Sequence, residues 1–518
     1  MPRSILLLAA LFLIPLFTFA SPEEEPQPTD ENEQEPKEEQ AEKESDAIDD
    51  ESAVTSHSAW FGGEQIDYTA TAGTLIISTD DEEEEPTASM FYVAYTKDDV
   101  EDPRERPIVF CFNGGPGSSA VWLHLGGFGP KRVQMNADGT MPNPPFQLGP
   151  NPDSILRIAD LVFIDPVSTG YSRADEKKQA GEFHSFHGDL DSMAEFIRLY
   201  TTRNERWLSP KFLAGESYGA LRAAGLAYVL LDDFGLYLNG LILVSGVLSF
   251  DTLWNTDLAY VAFLPALSEV AAYHGQLEQD LLADPEARRA EVEAFARGDY
   301  ATALLQGLQL DPETKEALAT RIARYIGLDA EMVERHELRV PPAFFREELL
   351  REQGLIIGRF DARLTGKDGD LAGDSPTFDP SYSAVYGPFS AALNDYIRRE
   401  LEFESDLVYE ILSDRVRPWR YGEEFVGQPV SAASRLAWAL TENPAMQVLV
   451  NCGHQDLATP CSAIRHTLDH LDMDPQLLEN IRYTHYEGGH MMYTIEASNT
   501  SWNQDVADFI EANSGLEE

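Results

Sequence analysis

The chain has 518 residues, of which 89 are acidic and 38 are basic, and its formal net charge at pH 7 is -51. A surface of this sign repels nucleic acid and anionic membranes, so we expect neither as a partner. The three cysteines are too few for a disulfide framework.

The N-terminus has the pattern of a secretory signal peptide. A charged start is followed by an apolar run over 5–19 and by the small residue Ala20, which predicts a signal peptide over 1–20. The run is shorter than the ~20 residues of a membrane-spanning helix, and no second long apolar run follows. We therefore expect an exported protein without a membrane span, in the periplasm or outside the cell.

Acidic and polar residues dominate the next segment. Over 22–51 the only large apolar residue is Ile48. Such a segment cannot bury enough surface to offset the entropy of ordering, so we predict a disordered acidic leader over 21–58.

Beyond the leader, the apolar pattern predicts strands that alternate with helices. Two leading antiparallel strands are predicted over 65–78 and 89–95, with the acidic run 80–85 as the tip of their hairpin. Further strands are predicted at 108–112, 161–165, 211–214, 240–245, 447–451 and 481–486, and helices at 188–200, 219–233 and 431–440. This alternation indicates an α/β fold, with a mostly parallel sheet and helices on both faces.

One gap between predicted strands is far too long for a single crossover. It separates 240–245 from 447–451, so we predict a mainly helical insertion over 251–405 between two parts of the core, 59–250 and 406–518. Amphipathic helices are predicted within it at 266–297 and 312–338, and a polar loop at 361–379.

The segment Gly215-Glu216-Ser217-Tyr218-Gly219 has the pattern G-x-S-x-G. A predicted strand precedes it and a predicted helix follows it. That context is required by a nucleophile elbow, in which a sharp turn lifts the serine hydroxyl out of the sheet. Ser217 is therefore the candidate nucleophile.

An acid and a histidine follow the serine, each just after a predicted strand. Asp456 follows 447–451, and His490 follows 481–486. The imidazole would take the serine proton, and the carboxylate would orient the imidazole and stabilise its charged form. The chain order of serine, aspartate and histidine is that of α/β-hydrolases.

A glycine-rich turn, Asn113 to Ser119, follows the predicted strand 108–112. Backbone amides in such a turn can face a developing oxyanion, so we predict an oxyanion hole from the N–H groups of Gly115 and Tyr218. The alternative of a phosphate-binding loop is weak, because the turn has no Lys-Ser/Thr at the required spacing.

Four segments together resemble the serine carboxypeptidase family: Asn113 to Ser119, Phe163 to Ser172, Gly215 to Gly219, and Asp456 with Gly488 to Met491. The resemblance implies an α/β-hydrolase fold with a helical cap, peptide substrates, and a triad of Ser217, Asp456 and His490. It also implies that Asn113, the Gly114 N–H and Glu216 bind the free C-terminal carboxylate of the substrate.

The chain departs from the common family pattern at three positions. Cys111 and Ser118 stand where the family has tryptophan and cysteine, so the disulfide usually anchored in that loop is absent. Gly127 stands where the family commonly has a glutamate that shares a proton with the glutamate beside the serine. The apparatus for carboxylate recognition therefore differs from the family pattern.

Cys452 and Cys461 flank Asp456, and we predict a disulfide between them in an oxidising compartment. Cys111 would then be a buried strand residue. The histidines at 184, 187, 454 and 485 lack the spacing of metal ligands, and no nucleotide-binding fingerprint occurs, so we expect no metal and no cofactor.

Other functions use the same chemistry. An esterase or acyltransferase could be built on this scaffold, because the elbow serves any acyl transfer. A non-catalytic binding protein would need neither the serine, acid and histidine nor the glycine-rich turn, and their presence argues against it.

Overall fold

The computed structural model describes residues 50–78, 87–175, 180–254, 256–370, 372–422 and 425–516. The predicted signal peptide, the leader up to residue 49 and the acidic run 80–85 lie outside these residues. Within the described ranges, no helix has both the length and the apolar character to cross a membrane.

In the described part of the chain, ten strands form one sheet. The strands of this sheet are β1 Ser52–Phe61, β2 Glu64–Ile77, β3 Ala88–Lys97, β4 Ile108–Phe112, β7 Asp160–Ile164, β8 Arg173–Ala174, β9 Lys211–Glu216, β10 Gly240–Val244, β13 Gln447–Gly453 and β14 Ile481–Tyr486. Two small antiparallel pairs join β5 Lys131–Val133 to β6 Leu148–Pro150 and β11 Ile356–Ile357 to β12 Thr365–Gly366. Across the large sheet the strand order is β1-β2-β3-β7-β4-β9-β10-β13-β14, and β8 also pairs with β3. The pairings β7-β4, β4-β9, β9-β10, β10-β13 and β13-β14 are parallel, whereas β1-β2, β2-β3, β3-β7 and β3-β8 are antiparallel. The predicted mostly parallel sheet is confirmed.

The first strand corrects the predicted leader boundary. β1 begins at Ser52 and pairs with β2 along its whole length, from Ser52 opposite Gly73 to Phe61 opposite Glu64. Residues 52–58 are therefore part of the sheet, and the leader boundary predicted at residue 58 is wrong. Most side chains of β1 are partly or largely exposed, so the strand lacks the apolar pattern by which the others were predicted.

The helices are α1 Val121–Leu123, α2 Phe186–Arg203, α3 Tyr218–Phe234, α4 Asp257–Tyr273, α5 Gln279–Ala283, α6 Pro285–Phe295, α7 Ala301–Gln306, α8 Pro312–Ile326, α9 Ala330–Arg335, α10 Pro342–Glu348, α11 Pro380–Arg399, α12 Ala433–Glu442, α13 Cys461–Asp469 and α14 Glu496–Asn513. Successive residues of a strand point to opposite faces of the sheet, and these helices cover both faces. In β4, Val109 and Cys111 face a core that includes α11 and α14, while Phe110 and Phe112 face a core that includes α2, α3, α12 and α13.

The range predicted for the insertion contributes to two cores. The helices from α4 to α10 bury their apolar residues in a third cluster, which also includes Leu457 from the loop after β13. α11 lies within the same predicted range, but its buried residues Phe389, Leu393 and Tyr396 join the core beneath the sheet. The compact helical part is thus shorter than the range 251–405.

Candidate active site

The turn that carries Ser217 has a strained backbone. Ser217 lies between the end of β9 and the first residue of α3, with φ of 62° and ψ of -125°. A positive φ is uncommon for a residue with a side chain and occurs where the surrounding structure enforces it. Here the Ser217 amide donates to the Val244 carbonyl at the end of β10, 3.0 Å away. The turn leaves the serine partly exposed in a cleft.

His490 and Asp456 are joined by a short hydrogen bond. The Nδ1 of His490 lies 2.8 Å from Oδ2 of Asp456, and both side chains are buried. The other oxygen of Asp456 accepts from the amides of Ala458 and Thr459, at 2.7 and 3.0 Å. These bonds fix the carboxylate, which in turn orients the imidazole.

The pKa of His490 reflects two opposing influences. Burial lowers the pKa, but the nearby charge of Asp456 and its hydrogen bond raise it, and the net change is upward. A buried imidazole with a raised pKa can accept a proton and hold it beside a carboxylate. This is the property required of a general base that later acts as an acid.

Most of the predicted site residues line one cleft. Its lining includes Asn113, Gly114, Gly115, Glu216, Ser217, Tyr218 and His490. Asp456 lies behind His490, outside this lining. All eight residues predicted for the site therefore lie in or directly behind one cleft, at the carboxyl ends of the parallel strands, where ligands of open α/β sheets bind.

The glycine-rich turn lies directly against the start of α3. A Cβ atom added to Gly114 would stand 2.4 Å from the Tyr218 amide nitrogen, so no other residue fits there. Tyr218 is the first residue of its helix, and such an amide has no intrahelical acceptor. Gly115 has φ of 102° and is exposed to the cleft. The two amides predicted for the oxyanion hole are thus on neighbouring segments.

A buried arginine supports the glycine-rich turn from below. Arg222 on α3 is fully buried and pairs with Asp189 on α2 at 2.8 Å. It also donates to the carbonyl of Asn113. Neither residue was predicted from the sequence, because the pairing depends on how α2 and α3 pack. Their contacts tie the position of Asn113 to the helix that begins beside the nucleophile.

Glu216 is buried next to Ser217, and Tyr493 donates a hydrogen bond to its Oε2 at 2.6 Å. Burial raises the pKa of Glu216 to about 7. The opposing influences of His490 and of the hydrogen bonds from Tyr493 and Asn113 are smaller. Glu216 therefore carries a proton in mildly acidic solution.

The structure explains why a second glutamate is missing near residue 127. A Cβ atom on Gly126 would stand 2.4 Å from the ring of Tyr493, and one on Gly127 would stand 2.1 Å from the ring of Trp502. Two aromatic rings therefore fill the space that side chains at these positions would need. Tyr493 donates the hydrogen bond to Glu216. Its position three residues after His490 is the sequence feature that could have indicated a place in the site.

A segment after α10 holds the two loops that carry Asp456 and His490. The Phe360 carbonyl accepts from the His490 amide at 2.5 Å, and the Arg359 carbonyl accepts from the Leu457 amide at 3.1 Å. The insertion thus takes part in the site through its backbone. Arg359 and Phe360 also line the cleft, and neither residue was predicted from the sequence.

The predicted disulfide is confirmed. Cys452 at the end of β13 is bonded to Cys461 at the start of α13, and the bond closes the loop that carries Asp456. His485 lies beside Cys461, but the two sulfurs are bonded to each other and are not thiolate ligands for a metal. Cys111 is free and buried, and burial raises the pKa of its thiol well above the ordinary range. Cys111 is therefore a core residue.

Known proteins resemble this chain over part of its length. The family model described as serine carboxypeptidase matches residues 67–303, a range that includes the glycine-rich turn and Ser217 and ends before Asp456 and His490. The lysosomal protective protein of Mus musculus is 30% identical over 178 residues, which cover 34% of this chain and 33% of the relative. The pheromone-processing carboxypeptidase of Saccharomyces cerevisiae is 31% identical over 157 residues, which cover 28% of this chain and 20% of the relative. The matched regions thus span about a third and a fifth of these two relatives.

The fold also has a counterpart among solved structures. A crystal structure of a prohormone-processing carboxypeptidase from Saccharomyces cerevisiae matches with a TM-score of 0.54 and 18% identity, over 86% of this chain and 91% of that chain. The sheet and the strand-to-helix turn at Ser217 have the arrangement of the α/β-hydrolase fold, which confirms the predicted fold. Among proteins of that fold, the chain is similar to the serine carboxypeptidase family over residues 67–303, which are less than half of its length.

Proposed function

We propose that this protein is a serine-type carboxypeptidase that releases C-terminal amino acids from peptides through an acyl-enzyme. Ser217 attacks the carbonyl carbon of the terminal peptide bond while His490 takes its proton. His490 then returns the proton to the leaving amine, and Asp456 keeps the imidazole oriented throughout. Water releases the acyl group by the reverse sequence.

The oxyanion of each tetrahedral intermediate accepts hydrogen bonds from the amides of Gly115 and Tyr218. Preorganised donors of this kind stabilise charge that develops only in the transition state, and losing one typically costs about 3 kcal/mol. The contact of Gly114 with the first turn of α3 supports this role, because it brings the two segments together.

The buried Glu216 beside Ser217 is the observation that favours a carboxypeptidase over an esterase or acyltransferase. A proton on this buried group provides a donor beside the nucleophile, and two carboxyl groups share a pocket readily when one is protonated. We assign Glu216, the Asn113 side chain and the Gly114 amide to the C-terminal carboxylate of the substrate. An esterase or acyltransferase has no need for a protonated acid at this place.

Three substrates test the proposal: an N-blocked dipeptide, its C-terminal amide and a simple ester. A carboxypeptidase hydrolyses the free-acid dipeptide with higher kcat/KM than the amide. An esterase hydrolyses the ester and leaves both peptides intact, and a non-catalytic binding protein hydrolyses none of them.

Replacing the nucleophile gives the matching control. We expect Ser217→Ala to reduce kcat by about 10⁶-fold, because only binding and oxyanion effects remain. The variant should also lose covalent labelling by a fluorophosphonate while its thermal unfolding stays that of a folded protein. Labelling that persists in Ser217→Ala would identify a different nucleophile.

We also infer that the protein is exported to the periplasm or the medium, following the predicted signal peptide. The Cys452–Cys461 disulfide supports this location, since such bonds persist in oxidising compartments. Mass spectrometry of the purified mature protein provides the test. An N-terminus near residue 21 agrees with export, whereas an intact N-terminus in the cytoplasmic fraction contradicts it.

A further inference from the structure

Two guanidinium groups line the cleft around Ser217, although the protein as a whole is strongly acidic. Arg359 and Arg417 both belong to the lining. Among the described residues of that lining, the acidic side chain is Glu216, which is buried and carries a proton in mildly acidic solution. The open part of the cleft is therefore positively charged, and this local charge opposes that of the surrounding surface.

Arg359 is held close to the reacting groups. Its guanidinium lies over the ring of Phe360, 4.4 Å from the ring centre, and that ring is 5.3 Å from the imidazole of His490. The backbone on which Arg359 stands is fixed by its bond to the Asp456 loop. Its side chain is exposed, and within the described residues its guanidinium has no carboxylate partner.

Arg417 approaches the cleft from the loop before α12. That loop is fastened to the glycine-rich turn, because the Ser413 amide donates to the Gly117 carbonyl at 2.8 Å. Arg417 pairs with Asp414 at 3.2 Å, but the two side chains are 69% and 96% exposed. An exposed pair of this kind contributes little, so Arg417 can exchange it for an anionic group on a ligand.

From this arrangement we infer that the preferred substrates carry an acidic side chain on one of the two residues that flank the scissile bond. The inference rests on the proposed carboxypeptidase function, since it takes the cleft to be the peptide-binding site. The apolar wall formed by Phe250 and Trp254 strengthens the effect, because low-dielectric surroundings focus the field of nearby charges.

The large negative charge of the protein does not cancel this preference at moderate salt. The Debye length is about 8 Å at 0.15 M ionic strength, so distant surface charges are screened while contacts within the cleft persist. At low salt, the whole protein repels every acidic substrate and slows its association. The preference is therefore best measured near 0.15 M salt.

The experiment compares pairs of N-blocked dipeptides that differ only in glutamate against glutamine, once at the C-terminal residue and once at the penultimate residue. We expect the glutamate peptide to have a kcat/KM roughly five- to tenfold higher at one of the two positions. Each ratio is taken on a single enzyme preparation, so the fraction of folded protein cancels.

Charge-removing variants assign the preference to the arginines. We expect the ratio to fall in Arg359→Gln and Arg417→Gln and to reach about one in the double variant. Arg335→Gln is the matched control: it removes an exposed arginine of α9 that does not line the cleft, and the ratio should be unchanged. Arg359→Glu should shift the preference towards a lysine peptide.

Failure of this inference can be told apart from failure of the proposed function. Hydrolysis of the glutamine peptides with ratios of one or less at both positions would overturn the charge preference alone. A double variant that keeps the wild-type ratio would do the same. An enzyme that hydrolyses esters but none of the dipeptides would instead overturn the proposed function, and with it the inference.

Discussion

Two buried carboxyl groups serve the candidate site, and their surroundings differ. Asp456 accepts hydrogen bonds from two backbone amides and from the Nδ1 of His490, which together stabilise a negative charge. Glu216 is equally buried, but desolvation outweighs the donors around it and raises its pKa to about 7. The balance between desolvation and hydrogen-bond donors therefore decides whether a buried acid serves as an ion or as a proton donor.

Of the substitutions around these two carboxyl groups, the one at Asp456 is expected to have the largest effect. Asp456→Asn should lower kcat roughly 10⁴-fold, because an amide no longer selects the imidazole tautomer that can take the serine proton. Steady-state kinetics on the free-acid dipeptide measures the loss, and thermal unfolding checks that the variant is folded. A loss of less than tenfold would mean that Asp456 does not orient the histidine.

A smaller effect, on stability, is expected from the disulfide that closes the Asp456 loop. Cys452 and Cys461 are nine positions apart, and removing a crosslink over so short a loop costs about 2.5 kcal/mol of unfolding free energy. Urea unfolding of the Cys452→Ala/Cys461→Ala double variant measures it. The pH at which free-acid peptides lose affinity should stay nearly the same, because burial has a larger effect on the pKa of Glu216 than the charge of Asp456 on this loop. A large shift in that pH would show that the loop position controls the protonation of Glu216.

The smallest effect is expected from a substitution beside Glu216, on the pH dependence of peptide binding. The Tyr493 hydrogen bond lowers the pKa of Glu216 against the larger effect of burial, so Tyr493→Phe should raise that pKa further. The loss of affinity for free-acid peptides would then occur at higher pH. Tyr486→Phe is the matched control, because Tyr486 also donates to a carboxylate at 2.6 Å, that of Asp505. A shift to lower pH in Tyr493→Phe would contradict this assignment.

The strands, and the residues that follow them, could be predicted from sequence because both depend on local pattern. The apolar runs before Ser217, Asp456 and His490 predict parallel strands, and the carboxyl ends of such strands meet at one edge of the sheet. The apolar runs can be recognised in the sequence because both faces of these strands are covered, so that successive residues are apolar. β1 was missed for the opposite reason, since its side chains face solvent or are only half-covered.

The contacts that set the chemistry of the site could not be predicted in the same way. Tyr493 and Glu216 are 277 positions apart, and Arg222 and Asn113 are 109 apart. No local pattern encodes which of the many tyrosines or arginines will reach a given buried group. Arg359 is a further case, because it comes from the insertion and reaches the cleft only through the docking of its segment on His490.

We propose that Glu216 binds the substrate carboxylate through its own proton. Binding of a non-hydrolysed free-acid peptide to Ser217→Ala, measured by calorimetry from pH 5 to pH 9, tests it directly, with the peptide amide as the control ligand. We predict that affinity for the acid falls as pH rises through about 7, and that adding Glu216→Gln flattens this dependence. The amide should show no such fall in either protein. If affinity for the acid falls in parallel with and without Glu216→Gln, Glu216 is not the titrating group and the account of carboxylate recognition is wrong.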